Sequence, residues 1–292
     1  MNFFKALFGN AETTPEEEKR EAEEKRFDLM KYDGVKAMKI GRFDYAERCF
    51  AEALALHEDL EVRDYLSRAL IQQGKYGEAL EQLELLAEHQ PENAAILLQA
   101  SHVSYLKEDY PLMQHYAERA LAVEEGSATA SYLLAQAAIG QGDPIKGVAH
   151  LTQCVAQDDN HADARLLRAQ TLLAMGDVNG ACDDALWLTE HVGDHEDVLL
   201  LAARVAKAQG NHEKALTIYN KVTEVNPFQI DAYRERGQLL FDLGDKQRAQ
   251  EDLQKVLELN PNEMADISGE YSAEGIEQKV RQAYSAANPF GL

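Results

Sequence analysis

A short pattern recurs along the chain at a nearly constant interval. In most copies a glycine is followed five residues later by an alanine. The glycine-equivalent positions are 41, 74, 108, 142, 176, 210 and 244, which is one step of 33 residues and then five steps of 34. A fixed period of this size is typical of arrays in which each unit packs only on its neighbours. The period therefore predicts one elongated array within the 292 residues.

The residue types inside each period indicate two helices. The chain is rich in Ala, Leu, Glu and Gln, which favour helices, and its 7 prolines fall mostly between the apolar periodic stretches. The glycine suits a turn position that needs positive φ, and the alanine lets two helices approach closely. Pro91, Pro227 and Pro261 are placed to end the second helix of a unit. An all-α fold follows.

This pattern resembles the tetratricopeptide repeat, a helix-turn-helix unit of 34 residues with small residues where its helices cross. The segments that carry the resemblance are Gly41–Ala46, Gly74–Ala79, Gly176–Ala181, Gly210–Ala215 and Gly244–Ala249. The third repeat departs from the pattern, with Glu108 in place of the glycine and Met113 in place of the alanine. The resemblance implies a right-handed α-solenoid of about seven repeats. Their expected bounds are 27–60, 60–93, 94–127, 128–161, 162–195, 196–229 and 230–263.

The two ends of the chain differ from the repeats. Thr14, Pro15 and Glu17 read as an N-cap, a first helical proline and a capping-box glutamate, so residues 1–26 are expected to form a tail and a charged helix. In residues 264–292, apolar groups at 276, 280, 283 and 284 share one helical face. We expect a C-terminal capping helix there, followed by an apolar tail, 288–292.

Charge and cysteine content limit the kinds of partner and the cellular compartment that we expect for this protein. The 29 Lys and Arg stand against 51 Asp and Glu, and a formal net charge of -22 disfavours nucleic acid and anionic lipid. The three cysteines follow neither a disulfide nor a metal-binding spacing. No apolar run is long enough for a membrane span. These features favour a cytoplasmic protein.

No pattern of catalytic residues is present. The sequence has no phosphate-binding loop, no nucleophile elbow and no paired-cysteine motif. His191, Asp194 and His195 could be imagined as metal ligands, but Gly193 interrupts them and they lie between repeats. We therefore expect no enzyme activity, no metal and no cofactor.

The resemblance implies a binding surface instead. In tetratricopeptide proteins the first helix of each repeat lines a concave groove through its second, fifth, ninth and twelfth positions. The residues expected there are Leu98, His102, Tyr105, Tyr132, Gln136, Ile139, Leu166, Gln170, Arg204, Lys207, Arg234 and Gln238. The leucines could equally be core residues. A clamp for a peptide carboxylate is not expected, because Lys31 matches it whereas Val35 and Asp64 do not.

The sequence thus predicts a non-catalytic scaffold or adaptor that binds a protein or peptide segment in this groove. The alternative is a structural module that self-associates into a homo-oligomer through its terminal repeats or its C-terminal tail.

Overall fold

The computed structural model describes residues 14–260, and this range consists of fourteen α-helices without a strand. After α1, which has 25 residues, helices of 14 and 13 residues alternate. The all-α array of helix pairs is therefore confirmed. The predicted capping helix at 276–284 and the tail at 288–292 lie outside the described residues.

Two units divide the chain, one ending at Gly142 and the other beginning at Asp143. The helices of the first unit are α1 (Pro15–Lys39), α2 (Phe43–Leu56), α3 (Leu60–Gln72), α4 (Tyr76–His89), α5 (Ala94–Leu106), α6 (Tyr110–Val123) and α7 (Ala128–Gly140). The helices of the second unit are α8 (Pro144–Gln157), α9 (Ala162–Ala174), α10 (Val178–His191), α11 (Glu196–Ala208), α12 (His212–Val225), α13 (Ile230–Asp242) and α14 (Lys246–Leu259).

The turn inside each helix pair is built from two adjacent residues. The first is the periodic glycine, which has φ between +72° and +89° in all six of its copies. The second is the N-cap of the next helix, and in five pairs an Asp or Asn there accepts a hydrogen bond from a backbone N–H three residues on. Glu108 occupies the glycine position of the third pair with φ +59°, a conformation that costs an L-residue about 1–2 kcal/mol.

Helix α1 begins as expected and then runs through the predicted boundary at residue 26. The Thr14 hydroxyl accepts a hydrogen bond from the Glu17 N–H at 3.2 Å, and the Glu17 carboxylate accepts one from the Thr14 N–H at 2.7 Å. Residues 14–26 are exposed, and Phe27 is the first buried side chain. Only the second half of α1 therefore packs as the first helix of a pair.

Small residues bring the helices of a pair together, as the sequence indicates. Ala46, Ala79, Ala181, Ala215 and Ala249 are fully buried. A Cβ built on Gly34 would lie 2.4 Å from Cε1 of Phe50, so this crossing leaves no room for any side chain. The third pair uses another solution, in which Met113 is buried and the Ser101 hydroxyl donates a hydrogen bond to the Met113 carbonyl at 2.9 Å.

We expect Gly34→Val to lower the free energy of unfolding by about 1–3 kcal/mol, because the added methyl groups collide with the Phe50 ring. The matched control is Gly77→Ala in α4, where a Cβ meets nothing within 4 Å. This control should raise stability by a few tenths of a kcal/mol through helix propensity. Urea unfolding followed by circular dichroism measures both, and equal effects of the two substitutions would contradict the close-packing explanation.

Candidate functional site

Six of the predicted groove residues lie on α5 and α7, two helices of the first unit that contact each other. We call this set the α5–α7 strip; it comprises Leu98, His102, Tyr105, Tyr132, Gln136 and Ile139. His102 and Tyr105 are exposed, and the other four are half-buried. The structure thus leaves all six within reach of solvent.

Packing of the opposite faces explains why the strip is accessible. On α5, Leu97, Ala100 and Val103 are fully buried in the core of the first unit. On α7, Ala135 and Ala137 are likewise fully buried. Because helical side chains repeat every 3.6 residues, burying these positions turns the strip outward.

Contacts within the strip are aromatic and polar. The rings of His102 and Tyr105 stack with centroids 6.4 Å apart, and the Gln136 amide donates a hydrogen bond to the Tyr132 hydroxyl at 3.4 Å. Leu98 packs between two buried clusters and is half-exposed at the same time. From the sequence, the leucines could line either the groove or the core. Leu98 packs against the core and is also partly exposed to solvent.

Absence of formal charge distinguishes these two helices. Among the fourteen helices of residues 14–260, α5 and α7 alone contain no Asp, Glu, Lys or Arg. A helix that is apolar on most sides is normally buried on most sides. Here one side stays open, which is the arrangement of an apolar binding surface with a few polar groups.

The other six predicted residues lie in the second unit, on α9, α11 and α13, all of which contain charged residues. Leu166 packs against a buried cluster, and Gln170 and Lys207 are half-buried. Arg234 pairs with Asp231, and the Gln238 amide donates a hydrogen bond to Asp242 at 2.9 Å. Arg234 and the Gln238 amide nitrogen are therefore engaged within the chain, whereas the Gln238 Oε1 atom is buried without a hydrogen-bond partner among the described residues.

Arg204 is part of a hydrogen-bonded network between two helix pairs. Its Nε lies 2.9 Å and its Nη2 2.6 Å from Oε1 of Glu235, while the Tyr219 hydroxyl donates a hydrogen bond to Glu235 Oε2 at 2.9 Å. Burial alone would lower the pKa of Arg204, but the bonds to Glu235 outweigh it and raise that pKa. Burial also raises the pKa of Tyr219, together with the Glu235 carboxylate.

Two further ion pairs were not anticipated from the sequence. Nε and Nη2 of Arg168 each donate a hydrogen bond of 2.7 Å to a different carboxylate oxygen of the buried Asp184. In the same way, Nε and Nη2 of Arg236 donate hydrogen bonds of 2.9 and 2.6 Å to the two oxygens of Asp252. Both pairs join the two helices of a repeat across 16 residues. That common spacing at the same phase is the signal that could have revealed them.

The surroundings of Lys31 do not indicate a clamp for a peptide carboxylate. Its Nζ lies 2.6 Å from Glu61 and 3.3 Å from Asp59, both beyond the end of the first helix pair. Burial alone would lower the pKa of Lys31, but these two acids raise it. The structure therefore gives Lys31 partners within the chain.

Paired helices of constant length, closed by left-handed turns and small crossing residues, define a helical repeat protein. The family comparisons identify the repeat. Family models described as tetratricopeptide repeat match residues 34–95 and 202–270, and one described as anaphase-promoting complex, cyclosome, subunit 3 matches residues 107–183. The chain is a tetratricopeptide repeat protein.

Solved structures share this fold at low sequence identity. A tetratricopeptide repeat protein from Parabacteroides merdae has a TM-score of 0.68 and 15% identity over 89% of this chain and 99% of that chain. PilF from Pseudomonas aeruginosa has a TM-score of 0.57 and 15% identity over 70% and 94% of the two chains. MamA from Desulfovibrio magneticus has a TM-score of 0.53 and 19% identity over 56% and 94%. No significant match was found among curated proteins.

Helices long and apolar enough to cross a membrane are not found between residues 14 and 260.

We expect Arg204→Met to lower the free energy of unfolding by about 2 kcal/mol, because it leaves the half-buried Glu235 carboxylate without its guanidinium partner. The double variant Arg204→Met/Glu235→Gln should recover part of this loss, since no uncompensated charge remains. Lys207→Met on the same helix is the control and should change stability by less than about 0.5 kcal/mol. Urea unfolding of the four proteins tests this, and equal losses in the single and double variants would contradict it.

Proposed function

We propose that this chain is a non-catalytic scaffold that holds a peptide or protein segment in the groove lined by the first helices of its repeats. The α5–α7 strip carries the proposal, because it places half-exposed aromatic, aliphatic and amide groups side by side without a formal charge. Apolar pockets anchor a bound segment, and amides pair with its backbone. The strip supplies both kinds of group on two rigid helices.

We propose that the partner of this chain is a protein and not a nucleic acid. A net charge of -22 repels a phosphate backbone at any distance that salt does not screen. Catalysis is not proposed, because the titratable side chains of the strip are limited to His102, Tyr105 and Tyr132. Within residues 14–260, moreover, no three His, Cys, Asp or Glu side chains are grouped as metal ligands.

The test is affinity capture from a lysate with the wild type and with the double variant Tyr105→Ala/Tyr132→Ala, followed by quantitative mass spectrometry. Loss of two anchors from a binding surface typically costs more than about 1 kcal/mol each, so retained proteins should fall by tenfold or more. Tyr45→Ala is the matched control, since Tyr45 and Tyr105 are equally exposed at 38% and Tyr45 lies on α2.

Circular dichroism and thermal melting show whether each variant keeps its fold. A protein retained by the wild type and by Tyr45→Ala but lost by the double variant supports the groove. If the same proteins are retained by all three, the groove is not the binding site.

A second candidate is self-association through the first helix pair. Leu29, Tyr32 and Ile40 of the α1 region are 54%, 65% and 67% exposed, and no other helix precedes α1 within the described residues. Large exposed apolar groups at the end of an array are a surface on which a second copy can stack. The apolar tail at 288–292, the other predicted contact, lies outside the described residues.

Light scattering over a concentration series tests this second candidate. Self-association predicts a mass that rises with concentration in the wild type and stays at one chain in Leu29→Lys/Tyr32→Lys. A mass of one chain throughout for the wild type removes the candidate.

A further inference from the structure

Acidic residues surround the α5–α7 strip on the chain. Between Lys75 and Lys107 there are five glutamates and neither a lysine nor an arginine. Between Arg119 and Lys146 the chain again has acids only, Glu124, Glu125 and Asp143. The uncharged strip is thus embedded in a part of the chain that is strongly negative.

The structure places several of these acids at the ends of the strip. Glu92 lies in the connection that leads into α5, and Glu124 and Glu125 lie in the one that leads into α7. Glu108 lies at the other end of α5, three residues after Tyr105. All four are exposed, so an acidic residue is open to solvent at both ends of α5. Lys107 is the one cation among them.

Glu108 holds its position at a conformational cost. The equivalent turn of every other described pair has a glycine, which takes positive φ without penalty. The Glu108 side chain is exposed, and its carboxylate makes no hydrogen bond or ion pair with the described residues. No hydrogen bond or ion pair of the side chain within this range offsets the backbone strain. Such strain is often found at functional sites.

We propose that the segment held by the α5–α7 strip has an apolar or aromatic centre flanked by lysine or arginine, and that Glu108 selects for that charge. This inference rests on the groove function proposed above and adds the chemistry of the partner. Charge complementarity carries it: basic flanks meet carboxylates at both ends of α5, whereas an acidic segment would be repelled by them. The apolar centre would occupy the uncharged strip itself.

Selection from an unbiased library tests the chemistry of the partner. Random dodecapeptides displayed on phage are panned on the full chain, and the enriched peptides are tested again on Tyr105→Ala/Tyr132→Ala. We expect enriched peptides to combine aromatic or aliphatic residues with an excess of Lys and Arg over the unselected library, and to bind the double variant poorly.

Three other outcomes separate the two proposals. Peptides that need the two tyrosines but are neutral or acidic overturn the basic-partner inference and leave the groove function standing. Peptides that bind the double variant equally well, or a library without enrichment, overturn the groove function and this inference with it.

The role of Glu108 is measured with one enriched peptide, labelled with fluorescein, by fluorescence anisotropy. Glu108→Gln should weaken binding about two- to five-fold at low ionic strength and less at high salt, as for other exposed charge pairs. Glu213→Gln, an exposed glutamate in the first turn of α12, is the control and should leave affinity unchanged.

Glu108→Gly separates charge from strain. It should weaken binding as much as Glu108→Gln while unfolding at a higher urea concentration, because glycine relieves the positive φ. A loss of affinity in Glu108→Gly without one in Glu108→Gln would mean that the backbone acts and the carboxylate does not, which would overturn this role.

Discussion

The close approach of two helices within each pair is the constraint on which the rest of the structure depends. It requires small residues at the crossing, as Gly34 against Phe50 shows most directly. It also requires a turn tight enough to return the chain antiparallel, which the positive-φ glycine and the N-cap after it provide. Once these are met, helix length follows, because each helix ends where the next turn begins.

That constraint is local, and this is why the sequence predicts the fold so well. Turn glycines, crossing alanines and the capping box at Thr14 each act within a few residues and keep the same phase in each repeat. Even the irregular third pair keeps the phase, because Met113 takes the position of the alanine and its carbonyl accepts a buried hydrogen bond from the Ser101 hydroxyl. The helix pairs could therefore be predicted from spacing alone.

The candidate site was predictable only as a set of positions. The spacing shows which residues lie on the solvent-facing side of the first helices. It does not show which of them form ion pairs or hydrogen bonds with other residues of the chain. Arg204 meets a carboxylate 31 residues away, and only the packing of one helix pair on the next brings the two together. This side is therefore open to solvent in α5 and α7, and it is partly occupied by ion pairs in α11 and α13.

This division between buried packing positions and solvent-facing positions explains how a regular array can acquire a specific surface. Residues such as Leu97 and Ala100 are fully buried and must satisfy the neighbouring helices. Tyr105 and His102, one turn away, contribute little to that packing, so their identity is free to serve a partner. Glu108 goes one step further, since glycine would suit its turn better. The Glu108 carboxylate makes no hydrogen bond or ion pair with the described residues, and the role proposed for it in binding a basic partner would explain why the chain keeps a strained residue at this turn.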